Sequence, residues 1–279
     1  FKQKTAYEIL TCDWSSDVCS SDLFLPVNDL NIAGMTMSVY NLISQYILII
    51  GSIVALVFLA VAGNEKRAAA GLTRQNWKSA VLIVLAFVGI YIVRTVVSVA
   101  VQGVSDGSGM QYVKEWAAMF KNPMMWLNIA ALPINYFFVF IAFFGEEYGW
   151  RYYLQPVLQK RFGLRAGVII LGVVWGLWHI PDDLFYYTQT SGIQMIFAQQ
   201  ITCISLGIFF AYAYMKTQNI WVPVCLHYLN NNLIPIISGT FSADVLENQT
   251  VSWKDLPVAL VLNGLCFGFF LLADVFKKK

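Results

Sequence analysis

Charged and imidazole side chains interrupt the apolar stretches of this sequence at only a few places, and these side chains are the ones most able to do chemistry. The segment FFGEEYGWRYYLQ contains Glu146, Glu147 and Arg151, and the only two histidines of the chain, His179 and His227, fall in later apolar stretches. A charged side chain inside a bilayer is costly, so such residues are candidates for function. Carboxylates and imidazoles brought together are suited to general acid–base catalysis.

The two adjacent glutamates are expected to have different roles. On a helix Glu147 and Arg151, four residues apart, lie on one face and can neutralise each other. Glu146 is rotated by about 100° from Glu147 and so faces away from Arg151. We therefore predict that Glu146 is the reactive base. The alternative for Glu147 and Arg151 is a purely structural role, because pairing with each other is enough to explain two opposite charges within the membrane.

The spacing of the other polar residues indicates where they lie. Glu146 and His179 are nearly equidistant in sequence from Gly163, which lies in a basic turn between two apolar stretches. Both side chains would lie roughly 25 Å from that turn on paired helices. His227 begins the segment HYLNNN, so Asn231 follows one helical turn later on the same face. Because His227 lies closer to its own basic turn, we expect its helix to start deep, to tilt or to be re-entrant.

Two more charged residues are interpreted as lying near the outer membrane surface. Arg94 falls within an apolar stretch, and its guanidinium is expected to extend toward the interface rather than to pair with a glutamate. Asp183 follows His179 by one turn and is interpreted as part of an outer loop, the alternative being that it orients the His179 ring.

The composition predicts a membrane protein. Hydrophobic residues make up 58% of the 279 residues and charged residues only 12%, and the mean hydropathy is +0.61. The net charge of +2 gives no basic field, so no nucleic acid partner is expected. The five cysteines have no paired spacing typical of disulfide frameworks or zinc sites and are interpreted as core residues.

The fold class predicted is all-α, a polytopic transmembrane helical bundle with about seven spans and an intramembrane catalytic cavity. The apolar stretches are residues 40–62, 79–102, 125–159, 164–181, 193–215, 220–238 and 256–276. The helix that carries the glutamates is expected to begin near Pro133, a residue suited to a first turn. Basic connections mark the cytoplasmic side and place the C-terminus there. Residues 110–121 form an amphipathic segment that predicts an interfacial helix on the outer face.

The chain is divided into two parts of different character. Residues 1–23 resemble the conceptual translation of sequencing primer and adapter DNA and do not enter the fold prediction; the alternative is a polar disordered tail. Residues 24–279 are predicted to form a single membrane domain, because no repeat or linker divides them.

Three motifs of this sequence resemble those of the CPBP family of intramembrane proteases, which process CAAX proteins and bacteriocins. They are Glu-Glu-x-x-x-Arg at 146–151, aromatic-x-x-x-His at 175–179 and His-x-x-x-Asn at 227–231. Trp175 stands where the family usually has Phe, a conservative change for packing. The resemblance covers roughly residues 130–240, which it identifies as the protease core.

The resemblance implies an intramembrane endopeptidase that hydrolyses a peptide bond near the membrane with water. Glu146 would deprotonate the water, and His179 would position it or bind a metal. His227 and Asn231 would stabilise the oxyanion. Glu147 with Arg151 would brace the site.

The metal and the substrate are left open by the resemblance. A zinc ion held by Glu146, His179 and His227 would make the protein a metalloprotease, whereas a glutamate-dependent mechanism needs no metal. The substrate would be a prenylated CAAX protein or a bacteriocin leader peptide, met among the lipids of a bacterial plasma membrane.

Two other functions are compatible with the motifs. Intramembrane Glu, His and Arg residues also serve proton-coupled transporters, although the repeated halves typical of carriers are missing from the sequence. A non-catalytic immunity or scaffold member of the same fold would be revealed by the sequence only through loss of a motif residue, and every motif residue is present.

Overall fold

A computed structural model describes residues 29–32, 35–38 and 50–277, except 51, 55, 59, 73, 106, 108–109 and 239–247. The segment 1–23, interpreted as adapter-derived, lies outside the described residues, as does most of the first half of the predicted span 40–62. The domain division therefore stays a prediction.

The described chain is helical apart from one hairpin. Strands β1 (Asp29–Ile32) and β2 (Met35–Ser38) pair antiparallel with Asp29 opposite Ser38. Two residues separate the strands in sequence, a length typical of hairpins. The all-α prediction is thus confirmed for the membrane-type fold, with this hairpin as an addition.

The described helices follow the hairpin in chain order. They are α1 (Asn64–Ala69), α2 (Trp77–Ser105), α3 (Gln111–Met119), α4 (Pro123–Glu147), a π-helix (Tyr148–Leu154), α5 (Gln155–Phe162), α6 (Leu164–Trp178), α7 (Ile180–Phe185), α8 (Gly192–Thr217), α9 (Trp221–Ser238) and α10 (Asp255–Cys266), followed by the 3₁₀ turns Gly268–Leu272 and Asp274–Phe276. The amphipathic segment predicted at 110–121 is helical and corresponds to α3.

Three described helical segments are long and apolar enough to cross a bilayer: Trp77–Val104, Pro123–Phe162 and Gly192–Thr217. They coincide with the predicted spans at 79–102, 125–159 and 193–215. Helices α6 and α10 are apolar but shorter. The number of seven spans stays a prediction.

Two predicted helix boundaries are wrong. Helix α4 begins at Pro123 and has Pro133 in its interior, because Asn122 caps it by accepting a hydrogen bond from the Met124 amide at 3.0 Å. The last predicted span, 256–276, does not continue as an α-helix beyond Cys266. Glycines at 264 and 268 flank this end, and glycine lowers helix propensity.

The outer surfaces of the long helices are apolar. Large side chains such as Val104, Phe137 and Phe138 are more than 70% exposed. Such a surface suits hydrocarbon rather than water. Together with the long apolar helices, it identifies an integral membrane protein.

Helix α8 forms the centre of the bundle and packs closely on α6. Most of its second half is buried, including Phe209 and Phe210. The two helix backbones approach each other at Gly172, where an added Cβ would lie 2.6 Å from the Cα of Ile204. This close contact fixes α6, and hence the residue that follows it, His179, against the bundle.

Replacing Gly172 by alanine is expected to destabilise the bundle. The new methyl group meets backbone rather than a flexible side chain, so α6 and α8 must move apart, at a cost of about 1–3 kcal/mol. Thermal unfolding in detergent measures the effect as a lower midpoint. Gly89→Ala in α2 is the matched control, because nothing lies within 4 Å of the added Cβ there. An unchanged midpoint for Gly172→Ala would contradict the close contact of α6 with α8.

Candidate active site

The carboxylate of Glu147 links two of the three sequence motifs. Its Oε2 accepts a hydrogen bond from Nε of Arg151 at 2.8 Å, and its Oε1 accepts one from Nδ1 of His227 at 2.9 Å. All three side chains are buried. The predicted ion pair between Glu147 and Arg151 is confirmed, and the same carboxylate also holds His227, which the sequence did not indicate.

The guanidinium of Arg151 is enclosed by backbone and rings. Its NH1 donates to the carbonyl of Gly207 at 3.3 Å, and its centre lies 5.2 Å from the ring of Trp175 and 5.4 Å from that of Phe210. Arg151 lies in the π-helix Tyr148–Leu154. Short π segments inside longer helices occur frequently at functional sites.

The ring of His227 is held in a defined tautomer. A carboxylate only accepts hydrogen bonds, so Nδ1 carries the hydrogen donated to Glu147. In the neutral ring Nε2 then bears the lone pair, and it has no hydrogen-bond partner among the described residues. Phe143 and Trp175 pack edge-on at 5.1 and 5.6 Å between ring centroids. His227 thus has Nε2 available for a further hydrogen bond.

His179 is held in the same way by backbone. It follows the last residue of α6, and its Nδ1 lies 2.7 Å from the carbonyl oxygen of Trp175, which can only accept. The lone pair of the neutral ring is therefore on Nε2. The indole of Trp175 lies 6.0 Å from the His179 ring and 5.6 Å from the His227 ring. One aromatic side chain of the second motif thus contacts both histidines.

Glu146 lies at the edge of this cluster. It is half-buried, unlike Glu147, and lies close enough to His227 and to Cys203 to act on them electrostatically. The Sγ of Cys203 lies 3.9 Å from Nδ1 of His179. The structure therefore brings Glu146 and both histidines into one region. Cys203, interpreted from sequence only as a core residue, adjoins that region.

Asn231 offers a hydrogen-bond donor on the face of α9 that carries His227. Its Oδ1 accepts from Nδ2 of Asn230 at 3.0 Å. Its own Nδ2 has no hydrogen-bond partner among the described residues, although the side chain is only 8% exposed. A buried amide without a partner is costly, which is consistent with a donor reserved for a substrate.

The interpretations of Arg94 and Asp183 are wrong. Arg94 is 1% exposed and its Nε donates to Oδ1 of Asn263 at 2.8 Å, so it lies inside the bundle. Asp183 is fully buried in α7, beyond the end of α6, and neither carboxylate oxygen has a hydrogen-bond partner among the described residues. Burial, with a smaller contribution from Asp182, raises the pKa of Asp183 to about 8. Burial thus favours the neutral form of this carboxyl group.

A zinc site would require several nitrogen, sulfur or oxygen ligands to converge on one point. In the described part of the chain, no group of three or more His, Cys, Asp or Glu side chains is arranged to hold a metal ion. The bond from Glu147 to His227 does resemble the outer carboxylate that orients many metal-binding histidines. Zinc held by Glu146, His179 and His227 stays a prediction.

A model of a known protein family matches the segment that contains this site. Residues 128–233 match the family model described as "Type II CAAX prenyl endopeptidase Rce1-like". That segment contains all three motifs and agrees with the predicted core at 130–240. The match covers less than half of the chain and supports the resemblance to the CPBP family that the motifs indicate.

One curated relative supports the same family. "CAAX prenyl protease 2" from Methanococcus maripaludis is 27% identical over 125 residues, which cover 42% of this chain and 45% of the relative. The chain thus aligns with less than half of the relative's length. No solved structure matches the chain significantly. Neither match concerns bacteriocins, so bacteriocin processing stays a prediction, as do a transporter and a non-catalytic scaffold.

Proposed function

We propose that this protein is an intramembrane endopeptidase that removes the C-terminal tripeptide from prenylated CAAX proteins. The observation that carries the proposal is the Glu147 carboxylate, which joins the first and third motifs by bonds of 2.8 and 2.9 Å. Near this link lie the half-buried Glu146, the two oriented histidines and the amide donor of Asn231. The family match and the named relative support the substrate class.

Glu146 acts as the general base in this mechanism. It accepts a proton from a water molecule whose second hydrogen is donated to Nε2 of His179. The hydroxide so formed attacks the carbonyl carbon of the scissile peptide bond. When the carbon–nitrogen bond breaks, the proton held by Glu146 passes to the leaving amine and the carboxylate is restored. The same residue thus serves as base and then as acid.

The oxyanion of the tetrahedral intermediate is stabilised by two hydrogen-bond donors on α9. Nδ2 of Asn231 donates one hydrogen bond. His227 donates the second through Nε2 when its ring is protonated, a state in which the positive charge lies 2.9 Å from the Glu147 carboxylate. Hydrogen-bond donors in a buried site stabilise the negative charge of the intermediate far more than they would in water.

The experiment that tests the proposal follows a defined product. Protein purified in detergent is incubated with a farnesylated CAAX peptide and with the same peptide lacking the prenyl group, and products are identified by mass spectrometry. We expect release of the three terminal residues from the prenylated peptide only. A chelator series in the same assay separates metal-dependent from metal-independent hydrolysis. Intact prenylated peptide after long incubation would contradict the proposal and favour the scaffold alternative.

A further inference from the structure

A buried chain of hydrogen bonds connects α2 to the oxyanion side of the site. The hydroxyl of Tyr91 donates to Oδ1 of Asn230 at 2.5 Å, and Nδ2 of Asn230 donates to Oδ1 of Asn231 at 3.0 Å. Tyr91 and Asn230 are 4% and 3% exposed. Neither residue belongs to the three motifs.

The direction of this chain decides which atom Asn231 presents. An asparagine side chain has one accepting oxygen and one donating NH₂ group, on opposite sides of the amide. Because the oxygen of Asn230 is occupied by the Tyr91 hydroxyl, its NH₂ group faces the oxygen of Asn231. The NH₂ group of Asn231 is thereby left for the substrate. If the side-chain amide of Asn230 were flipped so that its oxygen and NH₂ group changed places, the amide of Asn231 would flip as well. Asn231 would then present an oxygen, which repels an oxyanion.

The surroundings of Tyr91 favour its role as donor. The guanidinium carbon of Arg94 lies 5.6 Å from the centre of the Tyr91 ring, and a nearby positive charge polarises the phenolic O–H bond. Arg94 is itself fixed by Asn263 on α10. The Tyr91 ring packs against Phe87 and Phe267 at 4.9 and 5.0 Å. Hence both the position and the polarity of the hydroxyl are set by the core.

We propose that Tyr91 and Asn230 are positioning residues that fix the amide of Asn231 with its NH₂ group toward the oxyanion. This inference rests on the proposed function, because it requires Asn231 to be an oxyanion donor. It adds a determinant from α2, a helix that contributes no motif residue.

The test is a double-mutant cycle on tripeptide release. Tyr91→Phe removes only the hydroxyl, so both orientations of Asn230 become accessible, and we expect kcat to fall about tenfold with KM unchanged. Asn231→Ala is expected to lower kcat by about 10²–10³. Adding Tyr91→Phe to Asn231→Ala should then have no further effect, because no amide remains to orient.

Tyr228→Phe is the matched control. The Tyr228 hydroxyl is also buried and donates to the Leu132 carbonyl of a neighbouring helix at 2.7 Å. It also has a hydrogen bond with the side chain of Asn135 and lies outside the chain formed by Tyr91, Asn230 and Asn231. We expect kcat within about twofold of wild type for this variant. A similar fall in kcat for Tyr91→Phe and Tyr228→Phe would mean that the loss of any buried hydrogen bond explains the effect. That result would overturn the inference.

The remaining outcomes separate the inference from the proposed function. An undiminished effect of Tyr91→Phe in the Asn231→Ala background overturns the inference alone, whereas wild-type activity of Asn231→Ala overturns the donor role as well.

A second measurement does not require activity. In asparagine-labelled protein, the side-chain NH₂ resonance of Asn231, assigned by its loss in Asn231→Ala, should shift in Tyr91→Phe and not in Tyr228→Phe. An unshifted resonance in Tyr91→Phe overturns the inference.

Discussion

Glu146→Gln is expected to abolish tripeptide release while leaving the protein folded. Glutamine has nearly the same shape but cannot accept the proton of the attacking water, and loss of a general base lowers kcat by about 10²–10⁴. Glu146 is half-buried, and the ion pair with Arg151 belongs to its neighbour Glu147, so the thermal midpoint should change little. Mass spectrometry of the released tripeptide and thermal unfolding in detergent give the two readouts.

The control for this substitution is Glu115→Gln. Glu115 is an exposed acid on α3 that accepts a hydrogen bond from Gln111 and is not part of the proposed active site. We expect this variant to cleave at the wild-type rate. Equal amounts of product from Glu146→Gln and wild type would show that Glu146 is not the general base.

Glu147→Gln is expected to reduce both stability and activity. The substitution leaves the buried charge of Arg151 without its carboxylate, and breaking a buried ion pair by removal of one partner costs about 3–5 kcal/mol. It also removes the anion that holds Nδ1 of His227. The thermal midpoint should therefore fall clearly below that of Glu146→Gln, and release of the tripeptide should fall with it.

A double replacement separates these two effects. Glu147→Leu combined with Arg151→Leu removes both charges, so the penalty for an uncompensated charge disappears and much of the stability should return. Activity should not return, because His227 still lacks its carboxylate partner. A stable Glu147→Gln protein with wild-type activity would show that this ion pair neither braces the bundle nor orients His227.

Local relationships in the site follow from the sequence, whereas relationships between helices do not. The pair of Glu147 and Arg151 is set by helical periodicity, which the spacing of four residues reveals. The bond from Glu147 to His227 depends on how α9 docks against α4, and no local pattern encodes that docking. The three motifs indicate which residues gather, but the distribution of their hydrogen bonds requires the tertiary structure.

The wrong predictions for Arg94 and Asp183 have the same physical origin. A lone charge is costly in hydrocarbon, which favours an interfacial Arg94, yet Asn263 on α10 supplies an acceptor inside the bundle. Acids are rarely buried, which favours a loop position for Asp183, yet a carboxyl group can be buried in its neutral form. The π-helix around Arg151 has no signature in the sequence, since its apolar and aromatic residues also suit an α-helix.

The short sequence distance between Glu147 and Arg151 has a consequence for insertion of the chain into the membrane. Glu147 and Arg151 leave the ribosome together and lie within one helical segment, so the nascent chain can enter the bilayer with these two charges already compensated. His227 is synthesised later and reaches Glu147 only when α9 joins the bundle. A partly translated chain therefore contains the ion pair of Glu147 and Arg151 before the bond from Glu147 to His227 can form. On the proposed mechanism, hydrolysis would become possible only after α9 has joined the bundle.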